Sequence, residues 1–234
     1  MKRSTINHHI RAAEKTFSAA GLYLPEWAHW TLEDWRGENG GAEKAGSGPG
    51  RIQAIVDAAL GWDLTDFGLG VFDRKGLLLF TVRNGTLSGS VPLPYAEKLM
   101  IVGDGQITPM HFHWHKTEDI INRGGGELVL SLSMADRETE KLSDEPFTVY
   151  RDGLKLEGTP GMKVRLKPGQ SISLTPYLYH SFWAENGACI VGEVSAVNDD
   201  AKDNRFLDEV GRFPEIDEDE PPYRLLCTDY EGLL

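Results

Sequence analysis

One stretch of the chain has the residue types and spacing to do chemistry: Gly105-Gln-Ile-Thr-Pro-Met-His111-Phe-His113-Trp-His-Lys-Thr-Glu118, followed by Gly125. Residues two apart in a strand point to one face, so His111 and His113 can aim at a common point. Glu118 lies at an odd offset from His113, and strict alternation would turn it away. The spacing therefore predicts a bulge or turn over Trp114 to Thr117 that returns the carboxylate from the paired strand. Two imidazoles and a carboxylate converging in this way make a divalent metal site. Composition alone would produce H-x-H-x(4)-E only about 0.02 times in this chain, so the pattern is specific. His115 shares the parity of the two ligands, but the same turn takes it out of the set. His8 and His9 read as the surface of a helix.

The pattern G-x(5)-H-x-H-x(4)-E-x(6)-G matches the first motif of the cupin superfamily. Cupins are double-sheet antiparallel β-barrels of the jelly-roll type. Their second motif supplies a further histidine after a turn, and the matching segment here is Pro176-Tyr-Leu-Tyr-His180. It departs from the usual form, because the glycine of the turn is absent and the spacing is one residue shorter. His180 is the expected fourth ligand.

A closer resemblance rests on longer strings. Gln106-x-Thr108-Pro109-x-His111-x-His113-x-x-Lys116-x-Glu118 through Gly126, Gly192-Glu193-Val194-Ser195-x-x-Asn198-Asp199-Asp200, and Arg212-Phe213-Pro214-Glu215 through Glu220 are similar to the D-lyxose isomerase family of sugar ketol-isomerases. The resemblance implies an aldose–ketose isomerase acting on free sugars such as D-lyxose and D-mannose through a cis-enediol. It implies manganese as the cofactor, though the same donors could take cobalt, iron or zinc.

Such a reaction needs a base for the carbon-bound proton and a group to move protons between oxygens. Lys116 lies between two ligands, where a divalent cation should lower its pKa and suit it to the second task. The resemblance places a substrate-contacting lysine at Lys98 and singles out Glu215 as the base. Glu193, on the strand after His180, is the alternative carboxylate. The rival readings are an iron-dependent cupin dioxygenase and a non-catalytic sugar-binding cupin. Neither needs the proton-moving Lys116 or a base in the acidic tail. A phosphosugar isomerase is disfavoured by the net charge and by the lack of an evident Arg/Lys cluster.

Around these residues the chain falls into three parts. Residues 1–67 read as helical. Ser4 or Asn7 is the candidate cap of a helix carrying Ile10, Ala13, Phe17 and Ala20, which Gly21 stops. Thr31 caps a second helix, and Arg51 to Leu60 forms a third. The glycine-rich Gly40 to Gly50 reads as a loop and lacks the ending of a phosphate loop. Residues 68–196 read as the barrel, opening with a hairpin of Val71-Phe72 and Leu77 to Val82. Short strand-like runs then follow over 98–102, 106–113, 127–134, 147–150, 162–166, 171–175, 178–184 and 188–195. Residues 197–234 read as a helix over Ala201 to Val210 and an acidic tail.

The chain has 234 residues, 40% of them hydrophobic, with 24 basic and 36 acidic side chains for a net charge of −12. That balance disfavours nucleic acid and anionic membrane as partners. No apolar run or leader-like segment stands out, so a cytoplasmic protein is expected, with Cys189 and Cys227 as free thiols. The acidic runs Asp199 to Asp203 and Glu215 to Glu220 read as solvated faces. Cupin barrels pair through their sheets, and a homodimer is expected.

Overall fold

Two long strands, β5 (Glu118–Met134) and β10 (Leu178–Ala196), run antiparallel through the molecule in a computed structural model that describes residues 1–40 and 50–233. Their pairing runs from Leu178 opposite Met134 to Ser195 opposite Glu118, with a break in register between Glu185 and Cys189. Glycines make the break possible. Gly125 adopts φ +94°, and a Cβ there would lie 2.1 Å from the carbonyl oxygen of Ala188. No other residue fits so close to a neighbouring backbone.

The break lets each half of the ribbon join different neighbours. The half beyond Cys189 pairs with β3 (Tyr95–Val102), which continues to β2 (Leu77–Arg83) and β1 (Gly61–Thr65). The start of β5 pairs with β9 (Ser171–Leu174), then β6 (Phe147–Arg151) and β7 (Leu154–Gly158). The other half of the ribbon is flanked by β4 (Thr108–Phe112) with β11 (Arg205–Phe206) on one side and β8 (Met162–Leu166) on the other. Every ladder is antiparallel, and the two faces close into a jelly-roll barrel.

Strands β1 to β3 are buried on both faces. Leu77, Leu79, Met100 and Val102 point into the barrel, while Leu78, Phe80 and Leu99 point outward against Ile6, Ile10 and Phe17 of α1 (Arg3–Ala19). Helical spacing gives α1 its buried stripe of Ile6, Ile10, Ala13 and Phe17, whereas Ala20 is exposed. Neither expected cap serves the helix, which begins after Lys2 without a side-chain cap. Ser4 instead donates to Asp219 at 2.7 Å, and Asn7 donates to Glu220 at 2.6 Å. Tertiary partners from the tail have taken the side chains that propensity assigns to capping. Thr31 does cap α2 (Leu32–Gly40), reciprocally with Asp34.

Other elements differ from the sequence reading. Val71 and Phe72 form no strand, and the partner of β2 is β1. The barrel sheet therefore starts at Gly61, inside the segment expected to be helical. The third helix is short, α3 (Gln53–Asp57). The expected helix over 201–210 is absent: turns replace it, with β11 in their midst, because this segment is drawn onto the edge of β4. A terminal helical turn, α4, covers Tyr230–Leu233. The loop read over Gly40 to Gly50 falls for the most part on residues 41–49, outside the described residues.

Candidate metal centre

Strand alternation turns His111 of β4 and His180 of β10 inward as register partners, with ring centroids 4.1 Å apart. His113 stands one residue beyond the end of β4. The chain then turns through Trp114 to Thr117, and Glu118 opens β5. The turn is as expected but the pairing is not: β4 and β5 do not pair with each other, because β10 lies between them. Glu118 reaches the histidines across the barrel interior. Its Oε1 lies 3.1 Å from His180 Nε2 and 3.4 Å from His113 Nε2.

The turn before His180 explains how the motif survives without its glycine. Tyr177 itself takes the left-handed conformation, at φ +64°. That conformation costs a non-glycine residue about 1 kcal/mol or more. Stacking on Phe112 at 5.1 Å and the Arg137 guanidinium 4.5 Å over the ring hold it there.

Each histidine points its Nδ1 at a backbone carbonyl: His111 at Pro109 (2.8 Å), His113 at Asp203 (2.5 Å) and His180 at Leu178 (3.0 Å). Donation there fixes the tautomer and leaves the Nε2 lone pairs facing one another. The ligand atoms of the three histidines lie within 4.8 Å of one another. Burial, reinforced by His180 and His113, holds His111 well below the usual histidine pKa, so it is neutral and able to ligate. Glu118 Oε1 is buried and has no hydrogen-bond partner. A buried carboxylate oxygen without a partner is costly unless a cation satisfies it. Three converging imidazoles and that oxygen fit a divalent metal ion.

Beside this set is a charged cluster. Lys116 Nζ lies 2.7 Å from Glu118 Oε2, 3.0 Å from Glu193 Oε1 and 3.1 Å from Asn198 Oδ1. Burial pulls its pKa down, but Glu118, Glu193 and Asp200 outweigh burial and raise it above the ordinary lysine value. The direction is opposite to the one expected from the motif, because the sequence did not show three carboxylates around one ammonium. Burial likewise pushes Glu118 up, and Lys116 overrides it, leaving the carboxylate ionised. Lys98 is the register partner of Glu193 and lies 3.4 Å from its Oε1 and 3.2 Å from Asp200 Oδ2. Asp200 is also bound by Arg212 at 3.2 Å.

These groups, Asn198 excepted, line a cavity of about 430 Å³, counting its mouth, whose apolar wall includes Phe67, Leu79, Met100, Phe182 and Phe206. Six of the seven residues singled out from the sequence, His111, His113, Glu118, His180, Lys116 and Lys98, line it, and so does Glu193. Glu215 does not. It is exposed, and its backbone carbonyl accepts from the amino group of Met1. His115 is exposed and outside the histidine group. Asp200, Asp203, Asn204 and Arg212 were not foreseen. The acidic run 199–203 read as a solvated face, yet Asp200 and Asp203 turn inward; Asn198 to Asp200 and Arg212 within the quoted family strings were the available signal.

Fold and site together define a cupin jelly roll whose interior carries a histidine–glutamate donor set beside paired lysines and carboxylates. The D-lyxose isomerase family model matches residues 1–230, and the chain belongs to that family. It is 46% identical over 233 residues to a D-lyxose/D-mannose isomerase of Serratia proteamaculans, covering 98% of each chain, and equally so to one of Escherichia coli O157:H7. Among solved structures it resembles the L-ribose isomerase of Cellulomonas parahominis with L-ribose, with a TM-score of 0.55 and 17% identity over 93% of this chain and 98% of that one. The L-ribose isomerase of Acinetobacter sp. DL28 gives 0.56 and 17%, with the same coverage. At that identity the structures share the fold.

Proposed function

We propose that this protein is a divalent-metal-dependent aldose–ketose isomerase that interconverts D-lyxose with D-xylulose, and D-mannose with D-fructose, through a cis-enediol. The curated relatives that match nearly its whole length support the substrates. The observation that carries the chemistry is the contact of Lys116 with Glu193 beside the donor set, which places a held proton next to a carboxylate acceptor.

His111, His113, Glu118 and His180 would hold the metal, and manganese suits their nitrogen and oxygen donors with positions left open. A metal held there would supply positive charge that stabilises negative charge developing on the sugar oxygens. Glu193 takes that proton from one carbon and returns it to the other. Lys116, kept protonated by its neighbours, gives a proton to one sugar oxygen and recovers it from the other. Lys98, anchored by Asp200, donates to a sugar hydroxyl. The apolar wall excludes water and covers the carbon skeleton. Glu193 takes the role that resemblance gave to Glu215, because Glu193 faces the cavity and Glu215 does not.

We read the protein further as a cytoplasmic homodimer acting on free sugar. The net charge of −12, two free thiols and the pairing habit of cupin barrels support this. No helix among the described residues is long and apolar enough to cross a membrane. The test is incubation of the manganese-loaded protein with D-lyxose, with and without oxygen. Equal yields of D-xylulose are expected; oxygen consumption coupled to sugar loss would favour the dioxygenase reading instead.

A further inference from the structure

The C-terminal segment does more than cover the barrel. Strand β11 pairs with β4 so that Phe206 opposes His111 and Arg205 opposes Phe112. The chain just before β11 is thereby led along the turn that follows β4. There Asp203, buried at 8% exposure, meets the backbone between two of the metal-ligand positions. Its Oδ1 accepts from the N–H of Trp114 at 2.8 Å and of His115 at 3.1 Å, and its Oδ2 accepts from the N–H of Lys116 at 3.0 Å. Its own carbonyl accepts from His113 Nδ1 at 2.5 Å. Asp203 forms no ion pair among the described residues, so its side-chain oxygens are held by those amides.

One residue thus fixes two things. The carboxylate sets the shape of the turn that separates His113 from Glu118 and aims Lys116. The carbonyl sets the tautomer and ring direction of His113. Both sets of contacts are made between protein groups alone. We propose that Asp203 is a positioning residue that pre-forms the metal centre, so that metal affinity depends on a side chain that is not itself a ligand. The inference rests on the metal reading above and deepens it.

Asp203→Asn is nearly isosteric but sets an NH₂ against one of the amide donors. Asp208→Asn, at an exposed position in the same segment, removes the same charge without touching the turn and serves as control. Manganese affinity measured by calorimetry should fall about 10- to 100-fold in Asp203→Asn, the usual loss when an outer partner of a ligand is removed. It should fall about twofold or less in Asp208→Asn. The cobalt-loaded visible spectrum should change in Asp203→Asn alone, which a residue of merely structural importance would not cause. Wild-type manganese affinity and spectrum in folded Asp203→Asn would overturn the proposal. A wild type that binds no metal would instead refute the site itself.

Should the variant fail to fold, hydrogen exchange on the metal-free wild type decides. The amides of Trp114, His115 and Lys116 should exchange slowly before any metal is added. Exchange as fast as in an unprotected loop would overturn the proposal.

Discussion

Lys116 donates to Glu193 Oε1 at 3.0 Å inside the barrel, and the same oxygen lies 3.4 Å from Lys98. The contact joins the turn after β4 to the far half of β10, two places 77 residues apart in sequence. The two lysine side chains hold one carboxylate oxygen inside the cavity, where it can meet a sugar carbon. Glu193→Gln should keep its metal and lose about 100-fold or more in kcat, the scale of a positioned base. Metal analysis alongside steady-state kinetics checks both halves.

Glu215→Gln should behave differently. Its side chain is exposed and away from the cavity. Its kcat and KM on D-lyxose should stay within about twofold of wild type. A 100-fold loss would return the base to Glu215 and would require the tail to move.

Removing a ligand should act through the metal. His113→Ala should weaken manganese binding more than about 100-fold, beyond the loss typical of outer partners. Activity should return only when excess metal restores occupancy. Elemental analysis after gel filtration is the readout.

Asp200 makes the stability of the cavity pH-dependent. Burial raises its pKa, but Lys98, Arg212 and Lys116 override burial and hold it well below the ordinary 3.8. With the folded pKa depressed, the stabilisation is fully present above about pH 4 and is lost as pH falls through the folded value. Urea unfolding of wild type and Asp200→Asn should therefore show a stability gap at pH 7 that narrows below pH 4.

The tail is tied to the first helix by Arg3, which is 1% exposed and forms ion pairs with Glu218 at 2.6 Å and Asp229 at 2.9 Å. Arg3→Met would leave Asp229, itself nearly buried, without its cation and with only the Leu226 N–H donating to its side chain. Breaking a buried pair costs about 3 kcal/mol or more. Thermal unfolding should register a lower Tm, with the metal site intact.

The sequence exposed the candidate metal donors because strand alternation and a short turn are local rules, and His111, His113 and Glu118 lie within one such stretch. His180 was legible through its motif, although Tyr177 replaces the glycine and is held by Phe112 and Arg137 instead. The rest is long-range. Asp203 reaches His113 only because β11 docks on β4, and nothing in the local pattern of 199–203 distinguishes a buried clamp from a solvated acidic run. The same holds for Lys116: its spacing placed it in the motif, while the direction of its pKa shift depends on Glu193 and Asp200, which arrive from elsewhere in the chain. Strand β1 was missed for a similar reason. It is covered on both faces, so it lacks the alternation that marks a half-buried strand.

The most direct test of proton transfer at this site is isomerisation of D-lyxose in deuterated water by the manganese-loaded enzyme. Transfer through Glu193 predicts deuterium on C1 of the D-xylulose formed and on C2 of the D-lyxose recovered after prolonged turnover. It also predicts that Glu193→Gln loses the label together with the turnover. Product formed at the full rate with no deuterium on either carbon would mean that hydride moves directly between them, and would contradict a base at this position.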